Sequence, residues 1–475
     1  MASHQRCGAV SAFFVLALTL TWASPARTQS VPSEAYARPG YQQYRYDEDW
    51  SVLKDAPQHQ DPWDGVKYVP LNRDGWYLST GGEARWRYEQ VRDPGFGSQP
   101  DDPSGYMLQR YLLHTDWHFG TRARAFIALQ SGLEAGRTGG PRPTDENTLD
   151  LHQGFLDVTW RGSDRGSVTL RVGRHEVAFG AGRLISAAEG LNVRRSFDGA
   201  RLIVKRGGWT WNATAMRLVA AVPGMFDDRG NSGMLTWGAG GNGPRRWLGP
   251  GNLAIYYIGS RRRNARFDQG TADSIRHTGG VRVWGSAGRL DYDEEVIVQL
   301  GTFGQDPIRS YAIASDLGWS FVSKAGRPRP GVRVFGTSGD RDPLEPKLNS
   351  FDPLFPGIAY SGRSALLGPT NLVTVDPSLS FSPHRRFRIT TDCALFWRTS
   401  RQDGIYGINV AVLRPGHASD ARFVGSQASV DIDGALTSHV SVSASIVLFK
   451  AGTFLKETPP GLDTRYLAGH VSYRF

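Results

Sequence analysis

The chain has 475 residues, a formal net charge of +10, 57 Gly, 27 Pro, 11% aromatic residues and 2 Cys. An apolar share of 40% with 21% charged residues excludes a disordered chain. Cys7 lies in the leader described next, which leaves Cys393 alone and excludes an intrachain disulfide framework, and beyond that leader no run approaches ~18 apolar residues, which excludes a bundle of membrane helices but not a β-barrel.

Residues 1–26 read as a secretory signal peptide: Arg6 charges the start, Val10 to Trp22 is an apolar run, and Ser24-Pro25-Ala26 is a small-residue cleavage site. Residues 27–75 are rich in Pro, Asp and Tyr and read as an extended periplasmic lead-in. From Leu78 onward, apolar and polar residues alternate with the period of a strand. Ala123, Ala125, Ile127 and Leu129 alternate with Arg122, Arg124, Phe126, Ala128 and Gln130. Val168, Leu170 and Val172 alternate with Thr169 and Arg171, and Val296, Val298 and Leu300 with Glu295 and Gln299. Val440, Val442, Ala444, Ile446 and Leu448 alternate with serines. Turn chemistry is expected at Gly207-Gly208, Gly279-Gly280, Ser286-Ala287-Gly288 and Asp403-Gly404. Polar Gly/Pro stretches at 137–149, 223–252 and 338–383 read as long loops.

This pattern predicts an all-β protein, an antiparallel transmembrane β-barrel of about 18 strands over residues 76–475, with long extracellular loops and short periplasmic turns. Strand signals fill the exported length. Aromatics recur near strand ends (Trp76, Trp160, Trp209, Trp319, Tyr473), as interfacial girdles require. The end, Tyr466 to Phe475, places Leu467, Gly469, Val471, Tyr473 and Phe475 on one face. That is the pattern of a closing strand read by the barrel assembly machinery of a Gram-negative outer membrane.

Residues 172–202 (VGRHEVAFGAGRLISAAEGLNVRRSFDGARL) closely resemble the signature stretch of the alginate-export outer-membrane family. LSTGGEARWRYE from Leu78, FDPLFPGIAY and GPTNL between Phe351 and Leu372, FWRTSRQDGIYG from Phe396, FKAGTFLKETPP from Phe449 and the YRF end follow the same family in order. The resemblance implies a monomeric barrel with an electropositive, Arg-lined lumen that exports an anionic uronate polymer by diffusion, with periplasmic export proteins as partners. His175 stands where the family signature carries Gln.

Alternation sets which side chains face inward. Arg85 and Arg87 are expected inside beside Glu83 and Glu89, with Ala84, Trp86 and Tyr88 outside. Arg110, His114, Asp116 and His118 are expected inside, as are Arg122, Arg124, Arg171, Arg201, Arg282, Arg333 and Arg398. An Arg facing the lipid midplane would cost about 2–4 kcal/mol. Arg matches carboxylate geometry, and only seven of the 55 Lys and Arg residues are Lys. Inward carboxylates such as Asp157, Asp198 and Asp392 temper the field. In the signature stretch, Arg174, Arg183, Arg194, Arg195, Asp198 and Arg201 crowd together with Gly180, Gly182 and Gly199. That cluster is either a constriction that selects carboxylates or a turn network that locks two strands.

Other motifs carry less. Gly238 to Gly243 matches GxGxxG without strand–helix context and reads as a Gly-rich loop. His175-Glu176 is followed by Phe179 instead of a second His, so no zinc pair forms. Arg261-Arg262-Arg263 reads as a solvated or lipopolysaccharide-facing segment and not a nucleic-acid site. No nucleophile motif marks an enzyme, and no cofactor or metal is expected. Beside polysaccharide export, two rival functions remain: a porin for small anionic solutes, and a secreted β-rich carbohydrate-binding or adhesion protein without a pore.

Overall fold

A strand with one apolar and one polar face leaves two edges unpaired unless the sheet closes on itself, and closure sets the apolar faces outward around a polar interior. This is the arrangement in the computed structural model, which describes residues 38–475 apart from 56–59, 163–165, 246–248, 323–324 and 358–361. The signal peptide expected at 1–26 lies outside the described residues. Eighteen antiparallel strands form the barrel. They are β1 (Trp76–Arg92), β2 (Asp102–Phe119), β3 (Ala123–Ala135), β4 (Asn147–Arg161), β5 (Ser167–His175), β6 (Phe197–Arg206) and β7 (Trp209–Ala220). β8 (Met234–Pro244), β9 (Asn252–Phe267), β10 (Gly270–Ala287), β11 (Leu290–Phe303), β12 (Asp306–Trp319) and β13 (Arg329–Thr337) follow. β14 (Leu372–His384), β15 (Phe387–Arg398), β16 (Phe423–Ala435), β17 (Val440–Ala451) and β18 (Thr464–Arg474) complete the wall. β18 pairs back onto β1, from Glu83↔Arg474 to Arg92↔Arg465. Phe475 extends that seam by exchanging two backbone hydrogen bonds with Gly82.

The faces follow the predicted period. On β4, Leu156 and Trp160 are 62% and 56% exposed, whereas Phe155 is 3% exposed. Trp86, Tyr88 and Leu113 face outward, and Glu83, Arg85, Arg110, His114 and Asp116 are buried inside. One end of the barrel carries short turns such as Gly207-Gly208 and Gly288-Arg289. The other carries long loops after β5 (176–196), β13 (338–371) and β15 (399–422). Two of these loops enter the barrel. Val177, Phe179, Leu184 and Ile185 pack with Phe351, Leu354 and Phe355 against Phe197, Ile297 and Phe335 of the wall. The apolar core therefore sits inside the barrel, between loops and wall.

Three local expectations change. The segment read as a Gly-rich loop, Gly238 to Gly243, belongs to β8, and the stretches 223–252 and 338–383 each contain a barrel strand. Glycine removes the side-chain signal there because large rings occupy the space: a Cβ on Gly241 would meet the Trp211 ring at 2.3 Å, and one on Gly243 the Trp209 ring at 2.6 Å. Gly279-Gly280 lies inside β10 and not in a turn, with the Tyr256 ring across Gly280. Lastly, residues 41–70 are not simply extended. They form short turns at Arg45–Asp47 and Ser51–Asp55, a single helical turn at Asp64–Lys67 and the strand pair Val69–Pro70 with Tyr77–Leu78. Tyr46, Trp50 and Leu53 are buried against the barrel. The aromatic density of YQQYRYDEDW drives this burial, since each ring removes a large apolar area from water.

Candidate functional site

At the short-turn end the interior opens into a cavity of about 1210 Å³. Arg122, Arg124, Arg161, Arg171, Arg201 and Lys205 border it from the turn before β3 to β6, Lys54 from the N-terminal segment and Arg282 from β10, and Asp47, Glu48, Asp49 and Asp157 supply negative charge. Arg171 is held bidentately by Asp157 at 2.8 and 2.9 Å. Arg124 pairs with Asp116 at 2.5 Å and donates to the Tyr46 carbonyl at 2.7 Å. Arg282 pairs with Asp293 at 2.6 Å. Arg201 differs: its Nε and Nη2 donate to Asn212 Oδ1 at 3.0 and 2.8 Å. Among the described residues no carboxylate forms an ion pair with it. Arg122 lies in the exposed turn after β2, one step outside the strand assigned to it, and borders the cavity mouth.

The N-terminal segment forms one side of this cavity. Tyr46 packs edge-on against Phe126 and Phe155, lies 4.3 Å from the Arg171 guanidinium, and donates its hydroxyl to the Glu176 carbonyl at 2.8 Å. Burial pushes the Tyr46 phenol up to about 12. Burial also raises the Asp47 carboxyl, against the opposing pull of Arg171 and Arg201.

Above the cavity, the loop after β5 closes over a charged cluster. Arg110 is fully buried and pairs with Glu83 at 2.5 Å and with Glu189 at 2.6 Å. Arg194 pairs with Glu176 at 2.6 Å and with Glu189, and Arg474 joins Glu83 at 2.8 Å. Arg85 donates to the carbonyls of Glu189 and Leu191, at 3.1 and 2.7 Å. Arg87 pairs with Glu89 at 2.6 Å and donates to the Gly190 carbonyl. Burial pushes the Glu189 carboxyl up, but the Arg110 and Arg194 guanidiniums outweigh it and hold the group below the usual carboxylate range. On the opposite wall Arg183 reaches Glu295 at 2.5 Å. Arg195 donates to the carbonyls of Ser186 and Pro356, tying the two inserted loops together.

Three residues expected to line the pore do not. Arg174 and Asp198 pair with each other at 2.7 Å on the outer face. Arg174 has the parity of Val168, Leu170 and Val172, which are 37–50% exposed, so the alternation that places Arg171 inside places Arg174 outside. Arg398 does point inward, but at the loop end, where it donates to the carbonyls of Arg401, Asp403, Gly416, Ser419 and Ala421 and anchors the loop after β15. His175 is buried against Phe155, with Nδ1 3.0 Å from the Gly173 carbonyl. Residues that sequence reasoning missed include Glu176, Glu189, Lys205, Asn212 and Tyr46. Of these, Tyr46 carried a signal in its aromatic neighbours, and Lys205 in its alternation in step with Arg201.

The sequence profile of a family described as alginate export matches residues 76–468. No curated relative matches the chain. Among solved structures, Pseudomonas aeruginosa OccK3 (OpdO) is similar at a TM-score of 0.55 with 14% identity, covering 84% of this chain and 95% of that one. Pseudomonas aeruginosa OccD3 (OpdP) gives 0.56 with 11% identity over 84% and 91%. OccK8 (OprE) from the same organism gives 0.54 with 12% identity over 84% and 98%. At these identities the likeness concerns the fold.

Proposed function

Because the chain belongs to the alginate export family, we propose that this outer-membrane channel passes an anionic polysaccharide, an alginate-like polyuronate, outward by diffusion along the cationic wall of its lumen. The observation that carries the reading is the convergence of Arg122, Arg124, Arg171, Arg201 and Lys205 on one cavity at the short-turn, periplasmic end. Guanidinium forks match the carboxylates of successive uronate units, and they remain charged at physiological pH. Two of these cations, Arg124 and Arg171, also have carboxylate partners, and Arg201 shares an amide oxygen. That keeps each binding step shallow, as transport of a long polymer requires. The reading takes residues 1–26 as a removed export signal and the chain as a monomer that docks periplasmic export proteins at the short-turn end.

The test is conductance in a planar bilayer. Export of a polyuronate predicts an anion-selective reversal potential and block by oligouronates of several units, with weak block by monomeric acids. Equal block by a single uronic acid and its oligomers would favour a porin for small anions, and cation selectivity would reject both readings.

A further inference from the structure

On the outer wall, small residues on β7 to β10 leave an apolar groove of about 730 Å³, lined by Leu202, Trp211, Ala239, Ile255, Gly279 and Val298. All six belong to the outward set, so the groove faces lipid. At its loop-end rim stands a polar aromatic group. Tyr257 hydrogen-bonds His277 at 2.7 Å and stacks on it, and the Trp237 ring lies 6.4 Å from the same imidazole. Gly259 makes room for that indole, since a Cβ there would meet it at 2.2 Å.

Just beyond the aromatics comes positive charge. Arg261 pairs in register with Leu235 and Ile275, which are 38% and 39% exposed, so it shares their outward face. Arg309 pairs with the outward Leu300, and Arg263 is exposed beyond Arg261. Among the described residues none of the three forms an ion pair. The exposed carboxylate of Asp273 instead accepts from the Asn264 backbone N–H at 3.1 Å. Height fits as well. Arg309 and Trp319 mark opposite ends of β12. At ~3.4 Å per residue and a ~40° tilt they stand roughly 26 Å apart, the height of the apolar band of an outer-membrane barrel. The guanidiniums therefore lie at the head-group level of the outer leaflet.

We propose that the groove and Arg261, Arg263 and Arg309 together seat one phosphorylated glycolipid of the outer leaflet, with acyl chains in the groove, its sugar on the Trp237–Tyr257–His277 group and its phosphates on the arginines. A saturated phosphodiester lipid would fill the groove but offer one anionic charge to three cations. A bisphosphorylated glucosamine lipid meets both features. The site is separate from the lumen, so it stands whatever the cargo.

Native mass spectrometry of the full chain in detergent, titrated with bisphosphorylated lipid A, tests this. Wild type is expected to hold one molecule tightly. The R261S/R263S/R309S variant is expected to bind roughly a hundredfold more weakly, since three cations near an anionic head group act together. A239W, which fills the groove with the charges intact, is expected to weaken binding independently, and heat-dependent gel mobility checks that both variants are folded. Equal binding of wild type and the triple variant would overturn the proposal. So would equal affinity for lipid A stripped of its phosphates, and equal affinity for phosphatidylglycerol would reduce the surface to a general anionic-lipid contact and overturn the glycolipid assignment.

Discussion

Replacing Arg201 with Gln separates lumen charge from scaffold. Arg201 borders the cavity and shares its guanidinium with Asn212 Oδ1, without a carboxylate in an ion pair. Its removal therefore subtracts a positive charge that no ion pair neutralises, Asp47 acting on it only at longer range, and strands no ion-paired carboxylate. For an anion passing at about 7 Å, a unit charge contributes about 0.6 kcal/mol at the dielectric of water, and about twice that where half the surroundings are protein. The anion loses that energy and a cation gains it, so the preference for anions over cations should fall by the square of the single-ion factor, roughly 8- to 60-fold at low ionic strength and by less at high salt. The assay is the reversal potential in a salt gradient across a planar bilayer. Arg174→Gln is the internal control, because Arg174 is paired with Asp198 on the outer face and should leave the potential unchanged. A wild-type potential for Arg201→Gln, or an equal shift from both variants, would refute the inside–outside assignment on which the argument rests.

Arg171→Ala should behave worse than Arg201→Gln. It strands Asp157 in the wall, lowering both stability, by about 3–5 kcal/mol, and anion preference, read from heat-modified mobility and reversal potential. Tyr46→Ala removes the ring wedged against Phe126, Phe155 and Arg171, so single-channel conductance should rise as the N-terminal segment loosens; an unchanged conductance would show that the segment does not narrow the path. Asp403, in the loop after β15, is raised to about 6 by burial. Its proton is held more tightly in the folded loop than in the unfolded one, so the loop's stability should fall by about 3 kcal/mol as pH rises from about 4 to about 6, with the cost fully present above that. The protection factors of residues 399–407, that is exchange corrected for its intrinsic base catalysis, should fall across that window in wild type and stay constant in Asp403→Asn. Deleting Phe475 removes two backbone bonds to Gly82, a ring 4.3 Å from Trp63 and the acceptor of Arg45. The yield of folded barrel in the outer membrane should drop, and normal yield would argue against the C-terminal residue as an assembly signal.

The strand period was legible because it survives in any strand whose outer face carries large residues. It vanished in β8, where glycine alternates with small residues and the aromatics that fill the space come from β7 and β9. Parity also resolved more than composition did. Reading Arg174 and Asp198 as part of a dense arginine cluster put them in the lumen, whereas counting in twos from Val168 puts them outside. Arg398 shows the converse limit. Its parity was right, but height along the barrel decides whether an inward guanidinium meets solvent or a loop, and height depends on how the loops fold back. The partners Glu83, Glu176 and Glu189 come from β1 and from two points of one inserted loop. No local spacing relates them.

The distribution of compensated and uncompensated charge narrows the question of where a polyanion first meets the wall. Under the loop after β5, Arg85, Arg110, Arg194 and Arg474 share Glu83, Glu176, Glu189 and backbone carbonyls. Breaking such a buried set to bind a passing carboxylate would expose an unpaired charge and costs several kcal/mol. Across the lumen, Arg183 and Arg282 face Asp293 and Glu295 in a two-against-two arrangement with no net charge. The cations left over, Arg122, Arg161, Arg201 and Lys205, all border the cavity at the short-turn end, with Asp47 and Asp49 beside them. On the export function proposed above, capture of an anion would be concentrated where a periplasmic polymer enters, and the internally paired arginines farther in would present it with a polar, nearly neutral surface. A uniformly charged tube would bind the chain along its whole length and release it slowly; a charged entrance followed by internally paired arginines combines attraction with passage.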